Sequence, residues 1–268
     1  MSEREQLDAL YARFTFDMVA REAFEHLHFG LWRGIPHAPQ NLERAQQAYA
    51  DAIVALIPAA TGRVLDVGCG LGSIARMLAE RGMEVIAVSP VEAHCQAIAR
   101  AAPERITVRN ARFEALEPDT EVDLVLCAES FNFLVDGPED LEPFLERCTR
   151  WLGEHGSLLV ADFLTDPVAA ALETPAGYRS TGCQDVTDEI LYSLDVLQER
   201  FARHARPYGE LLLGVVETLD RRLYQDLTAL LDEAPNEAIR SLLSGSLADR
   251  QMAEKRRYLF WKLERSTP

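Results

Sequence analysis

The chain has 268 residues, 48% of them hydrophobic, which is enough apolar material for one domain with elaborations or two at most. Lysine and arginine number 27 against 43 acidic residues, a formal net charge of −16. Such a balance works against polyanion partners, whose affinity rests on basic side chains neutralising phosphates, so neither nucleic acid nor a membrane is an expected partner.

In chain order, Leu7, Leu10, Tyr11, Phe14 and Met18 recur at helical spacing and predict a first helix. Gly30, Gly34, Pro36 and Pro39 break it, and Ala45, Tyr49, Ile53 and Leu56 mark one face of a second. From Gly62 the character changes. Residues 63–68 form a short apolar run ending in glycines, a strand. A helix over 73–81, with Ile74, Met77 and Leu78 inward, stops at Gly82. A strand over 83–89 leads at Pro90 into a helix reaching about residue 101. Strands follow over 106–110 and 122–128. Leu141, Phe144, Leu145, Cys148, Trp151 and Leu152 make an amphipathic helix, and a turn over 153–156 opens a fifth strand over 157–163. Beyond 165, the expectations are a strand over 178–186, a long helix over 212–230 and a last strand over 258–263.

Strands that alternate with helices and read as continuous apolar runs imply a buried, mostly parallel sheet with helices on both faces. The five cysteines, at 69, 95, 127, 148 and 183, form no C-x-x-C pair and read as reduced thiols, with no metal site. Residues 1–5 are polar, and no apolar run approaches the roughly 18 residues that span a bilayer, so a cytoplasmic location is expected.

The chemistry gathers at Val64-Leu-Asp-Val-Gly-Cys-Gly-Leu-Gly-Ser73. Glycines at 68, 70 and 72 follow a strand and precede a helix. There the backbone can bend sharply and the helix start offers unpaired N–H groups to a carboxylate or phosphate. In open α/β sheets this crevice, at the carboxyl ends of the strands, is where ligands bind. Asp66, two residues before the first glycine, is placed to meet an ammonium group.

The stretch 64–72 resembles the S-adenosylmethionine motif of the class I, Rossmann-like methyltransferases. Residues 122–128 with Glu129-Ser-Phe-Asn132 resemble that family's fourth-strand motif, Trp151-Leu-Gly-Glu-His-Gly-Ser157 its turn before strand five, and Asp162 the acid near that strand's end. His26-Leu-His-Phe-Gly-Leu-Trp32 resembles a stretch of the small-molecule members. The resemblance covers residues 20–165 well and the last hundred loosely. It implies a seven-stranded, mostly parallel methyltransferase sheet: a helical cap over 1–60, a cofactor-binding core over 61–165, and C-terminal strands with a helical lid over 166–268 completing the same domain. It implies S-adenosylmethionine as cofactor, a small-molecule acceptor with an O, N or C nucleophile, and a monomer or homodimer.

Carried over residue by residue, Gly68, Gly70 and Gly72 would line the methionine part of the cofactor, with Asp66 on its amino group and Cys69 beside them. Ser89, followed by Pro90, stands where the family usually has a ribose-binding acid; as a plain reading, it caps the helix behind it. Asn110, Arg112 and Phe113 occupy the adenine region, and Glu129 and Trp32 complete the expected contacts. If the nucleophile must lose a proton early, Glu129, His28 and His204 are the candidate bases. Cys69 reads otherwise as packing under the loop, and His94 and His155 as surface. Two alternatives stay open. One is an NAD(P)-dependent oxidoreductase, although residue 73 is serine where G-x-G-x-x-G needs its third glycine. The other is a non-catalytic protein that keeps the cofactor-binding fold.

Overall fold

The computed structural model describes residues 25–101, 104–197 and 255–266. The helices expected around residues 7–18 and 212–230, and His204, lie outside the described residues.

A 3-10 turn at Pro39–Asn41 leads into α1, Leu42–Ala55, which buries Leu42, Ala45, Tyr49, Ala50, Ile53 and Val54 along one stripe. Leu56, expected on that stripe, falls just past the helix end and is exposed. The alternation then runs β1 (Arg63–Val67), α2 (Ser73–Glu80), β2 (Glu84–Ser89), α3 (Glu92–Ala101), β3 (Ile106–Asn110), β4 (Val122–Ala128), α4 (Leu141–Trp151), β5 (Leu152–Leu164), α5 (Asp166–Glu173) and β6 (Tyr178–Asp185). Residues 187–197 are helical, here α6, and β7 is Arg257–Arg265.

The seven strands make one sheet in the order β3-β2-β1-β4-β5-β7-β6. The first five are parallel; β7 runs antiparallel between β5 and β6. The reversal of strand order at β1 opens a crevice beyond the carboxyl ends of β1, β2 and β4, a topological switch point. One face of the sheet is covered by α1, α2, α6 and the segment around Phe29–Trp32, the other by α4 and α5.

The helices α5 and α6 have no counterpart in the sequence-based expectation, and two further elements differ from it in their bounds. Leu152 is not helical but begins β5, pairing with Val122; the next pair is Leu124 with Ser157. The expected turn at 153–156 is therefore an excursion inside the pairing of β4 with β5, and it lets α4 and β5 follow without a separate loop. The helix after β2 starts at Glu92 rather than at Pro90. Among the described residues no helix is long and apolar enough to cross a membrane, and all five cysteines are free thiols.

Candidate active site

The bend after β1 is held by close packing. Gly68 has φ +77°, and a Cβ there would stand 2.3 Å from the Ser130 Cβ; at Gly72, φ +75°, it would stand 2.7 Å from Ile98 Cγ1. Both positions therefore require glycine, one to admit the segment after β4 and the other to admit α3. The bend is tied to β2 by the Gly68 and Cys69 N–H groups, which both donate to the Val88 carbonyl, at 2.9 and 3.1 Å. Ser130 Oγ donates to the Val67 carbonyl at 2.5 Å and ties it to β4. Cys69 packs against the apolar core, as its plain reading had it.

Asp66 stands in register with Ala87 on one side and Leu126 on the other, so β1 carries it into the middle of the sheet. It is only 3% exposed, and its Oδ2 is buried without a hydrogen-bond partner. Burial raises its pKa to about 7. A carboxylate oxygen left bare at the crevice floor is suited to a cationic donor supplied from outside.

Glu129 follows β4 with φ +57°, the one non-glycine residue in the left-handed region among the described residues. Its N–H donates to the Ala161 carbonyl at 2.8 Å, and its Oε1 accepts from the Phe29 N–H at 2.7 Å and the Tyr258 hydroxyl at 2.9 Å. The Tyr258 oxygen is 2.8 Å from that of Tyr49, so β7 and α1 join in one buried network. Burial raises the Glu129 pKa well above the usual carboxylate range; the Phe29 N–H pulls it back down, and the nearby Asp162 adds to the rise. Asp162 is fully buried on β5 and saturated: it accepts from Asn132 N–H and Nδ2 and from the Phe163 N–H, at 3.0, 2.7 and 2.8 Å. It fixes the short helical turn Phe131–Phe133 beside Glu129. Tyr49 and Tyr258 carry no site role in the sequence, since both sit within apolar stripes and read as core, and Asn132 enters there only as the end of the fourth-strand motif.

The upstream segment crosses the site. A Cβ on Gly70 would lie 3.5 Å from Leu27, so Leu27 lies against the bend. His28 stacks on Tyr49, with ring centroids 4.6 Å apart. Its Nδ1 is 2.8 Å from the Phe29 carbonyl, which can only accept, so that nitrogen carries the proton. Its Nε2 then accepts from His26 Nδ1 at 3.0 Å. Both ring nitrogens are thus engaged, and burial, with His26 adding to it, holds the His28 pKa at about 3. Trp32 is turned the other way: its indole N–H donates to Ser193 Oγ at 2.8 Å and its ring meets Tyr192 and His37 edge-on. These contacts anchor α6 rather than reach the bend.

On the β2 side, Ser89 is buried and its Oγ accepts from the Val91 N–H at 3.1 Å, while Pro90 is exposed. Asn110, exposed at the end of β3, donates from Nδ2 to the Ser89 carbonyl at 3.0 Å. Arg112 is exposed, whereas the Phe113 ring turns inward against Phe144, at 6.0 Å between centroids. His155 is exposed as expected, but His94 is not: it reaches Ser89 Oγ at 3.3 Å from Nδ1, and its Nε2 is buried without a partner.

A surface cavity of about 540 Å³ near the first residues of β1 and β2 is lined by Arg63, Glu84, Arg109 and Asp119. Those four residues already form ion pairs, Arg63 with Glu84 and Arg109 with Asp119, so it offers no comparable group.

Residues 65–160 match the profile of a family described as a methyltransferase domain. An uncharacterized methyltransferase of Mycobacterium tuberculosis (strain ATCC 25618 / H37Rv) is 36% identical over 115 residues, 42% of this chain and 46% of that protein. The chain thus spans just under half the length of that relative. Among solved structures, the 4+2 cyclase SpnF superposes with a TM-score of 0.66 at 17% identity, covering 95% of this chain and 94% of its own. The mycolic acid cyclopropane synthase CmaA1, solved with SAH and CTAB, gives 0.64 at 15% identity, covering 90% of each chain. These two likenesses are in fold.

Proposed function

We propose, from the premise that residues 65–160 form a class I, Rossmann-like methyltransferase domain, that the chain transfers a methyl group from S-adenosylmethionine to a small-molecule acceptor. The observation that carries this reading is the bare, buried Oδ2 of Asp66 at the floor of the crevice. The cofactor has an ammonium group to place there, and its methionine end would follow the bend from Gly68 to Gly72. When bound, it supplies an electrophilic methyl carbon on a sulfonium that is already a good leaving group. The residues of this chain have less to do: hold the acceptor in near-attack geometry and keep water out.

Glu129 is the candidate group to act on the acceptor. Its left-handed backbone and the two donors on Oε1 fix the carboxyl group. A carboxyl whose pKa is raised by burial is a stronger base once ionised than an ordinary glutamate, and it suits a nucleophile that must shed a proton. His28, with both nitrogens occupied, suits an orienting role better than a base. The same reading sets the chain in the cytoplasm as a monomer or homodimer. A dinucleotide oxidoreductase finds no support in the crevice: position 73 is Ser, and the buried group after β2 is Ser89 rather than an acid.

Equilibrium dialysis against radiolabelled S-adenosylmethionine tests the reading. Saturable, one-to-one binding that the demethylated product S-adenosylhomocysteine displaces is expected. A folded protein that retains neither compound would overturn it.

A further inference from the structure

We infer that His94 donates a hydrogen bond to a ribose hydroxyl of the cofactor, doing from α3 what an acid at the end of β2 would otherwise do. The inference rests on the cofactor reading above and on the hydrogen-bond surroundings and position of the His94 ring.

Ser89 Oγ already accepts the Val91 N–H, and a hydroxyl has a single hydrogen left to give. In the tautomer that carries the ring proton on Nε2, His94 Nδ1, at 3.3 Å, accepts that hydrogen. A neutral imidazole that accepts at Nδ1 carries its proton on Nε2, so Nε2 is a donor. That donor is buried and has no partner. Leaving it so is destabilising, and a bound oxygen would recover that cost. Burial also lowers the ring's pKa to about 4, which keeps it neutral at pH 7.

The position of the ring points the same way. His94 and Ile98 are four residues apart on α3 and share one face. Ile98 packs where a Gly72 side chain would be, so that face looks toward the glycine bend. His94 lies one turn nearer the helix start and reaches Ser89, the neighbour in β2 of Val88, to which Gly68 and Cys69 of the bend are tied. With the amino-acid end of the ligand on Asp66, two residues before the bend, its sugar comes next along that line. Asn110, paired with Ser89 at the end of β3, gives one of its Nδ2 hydrogens to the Ser89 carbonyl.

The test is calorimetric titration of wild type, His94→Phe and His94→Gln with S-adenosylhomocysteine and with its 2′-deoxy and 3′-deoxy analogues. His94→Phe is expected to weaken S-adenosylhomocysteine roughly tenfold, with the glutamine variant, which keeps an N–H, weakened less. One of the deoxy analogues should bind wild type roughly tenfold more weakly than the parent and bind His94→Phe no worse than the parent does. In wild-type protein, the ¹⁵N resonance of His94 Nε2 should shift with the parent compound and not with that analogue, a readout that needs no variant to fold. Equal affinity of His94→Phe and wild type for the parent would overturn the inference, and so would an equal loss for the parent and both analogues. A wild type that binds none of the compounds would overturn the cofactor reading itself, a result distinct from either.

Discussion

On the β1–β2 side of the crevice Asp66 Oδ2 and His94 Nε2 are buried without partners, whereas on the β4–β5–β7 side Glu129, Asp162, Tyr258 and Tyr49 are joined in closed hydrogen-bond networks. Two other orphan atoms among the described residues, Gln46 Oε1 and Trp151 Nε1, belong to helices α1 and α4. A buried polar group left unpaired is destabilising by about 1–3 kcal/mol, and a saturated one is close to neutral. The first side is therefore strained toward a ligand, and the second is pre-organised without one. On the proposed function the difference separates binding from positioning: the cofactor would complete one wall, and the acceptor would meet a wall already complete.

The largest expected effect breaks the open side. Asp66→Asn should weaken S-adenosylhomocysteine on the order of 100-fold, measured by titration calorimetry, because an amide cannot pair with an ammonium charge. The same variant should be more stable than wild type in the empty state at pH 8. The folded pKa of about 7 lies above the ordinary aspartate value of 3.8, so the carboxyl costs stability increasingly as pH rises from 3.8 through 7, and the cost stays constant above that. Removing it should raise unfolding free energy by up to about 4 kcal/mol at pH 8 and by little at pH 4, as read from urea denaturation.

Tyr258→Phe breaks the closed side instead. It takes one of two donors from Glu129 Oε1 and leaves the Tyr49 hydroxyl without its partner. Stability should fall by about 1–2 kcal/mol in the same urea assay, with cofactor affinity nearly unchanged. A large loss of affinity with intact stability would invert the comparison. A smaller effect sharpens it without any variant. Between pH 7 and pH 6 wild-type affinity for S-adenosylhomocysteine should fall about fivefold as Asp66 takes up its proton, and above pH 8 it should level off. The smallest effect is a control away from both walls: Arg33→Ala removes the exposed pair with Glu189, 2.8 Å long, and should change stability by less than about 1 kcal/mol.

The fold between residues 63 and 164 was legible because each strand is a continuous apolar run and each helix shows its stripe, so period and punctuation agree. β3 and β4 fall where the spacing put them. Leu152 was misplaced because an apolar residue at a helix–strand junction satisfies both periods, and only its pairing with Val122 decides. In the candidate site the glycine bend and Asp66 were readable, since backbone demands and a charge in an apolar strand both leave marks in sequence. His94 was not: beside Glu92 and Gln96 it reads as part of a wet face, and a tertiary contact with Ser89 draws it inward. Tyr49 and Tyr258 were hidden for the opposite reason, because their rings fit the apolar pattern and the hydroxyls that matter leave no periodicity.

The most direct test is the proton count on binding. S-adenosylhomocysteine titrated at pH 6.5 in two buffers of different ionisation enthalpy should release roughly 0.7 proton per ligand, since Asp66 with a pKa of about 7 is mostly protonated there and must ionise to hold the ammonium group. That release should vanish in Asp66→Asn. Tight binding by wild type with no proton released, or with the same release from the variant, would contradict the assignment of Asp66 as the group that receives the cofactor.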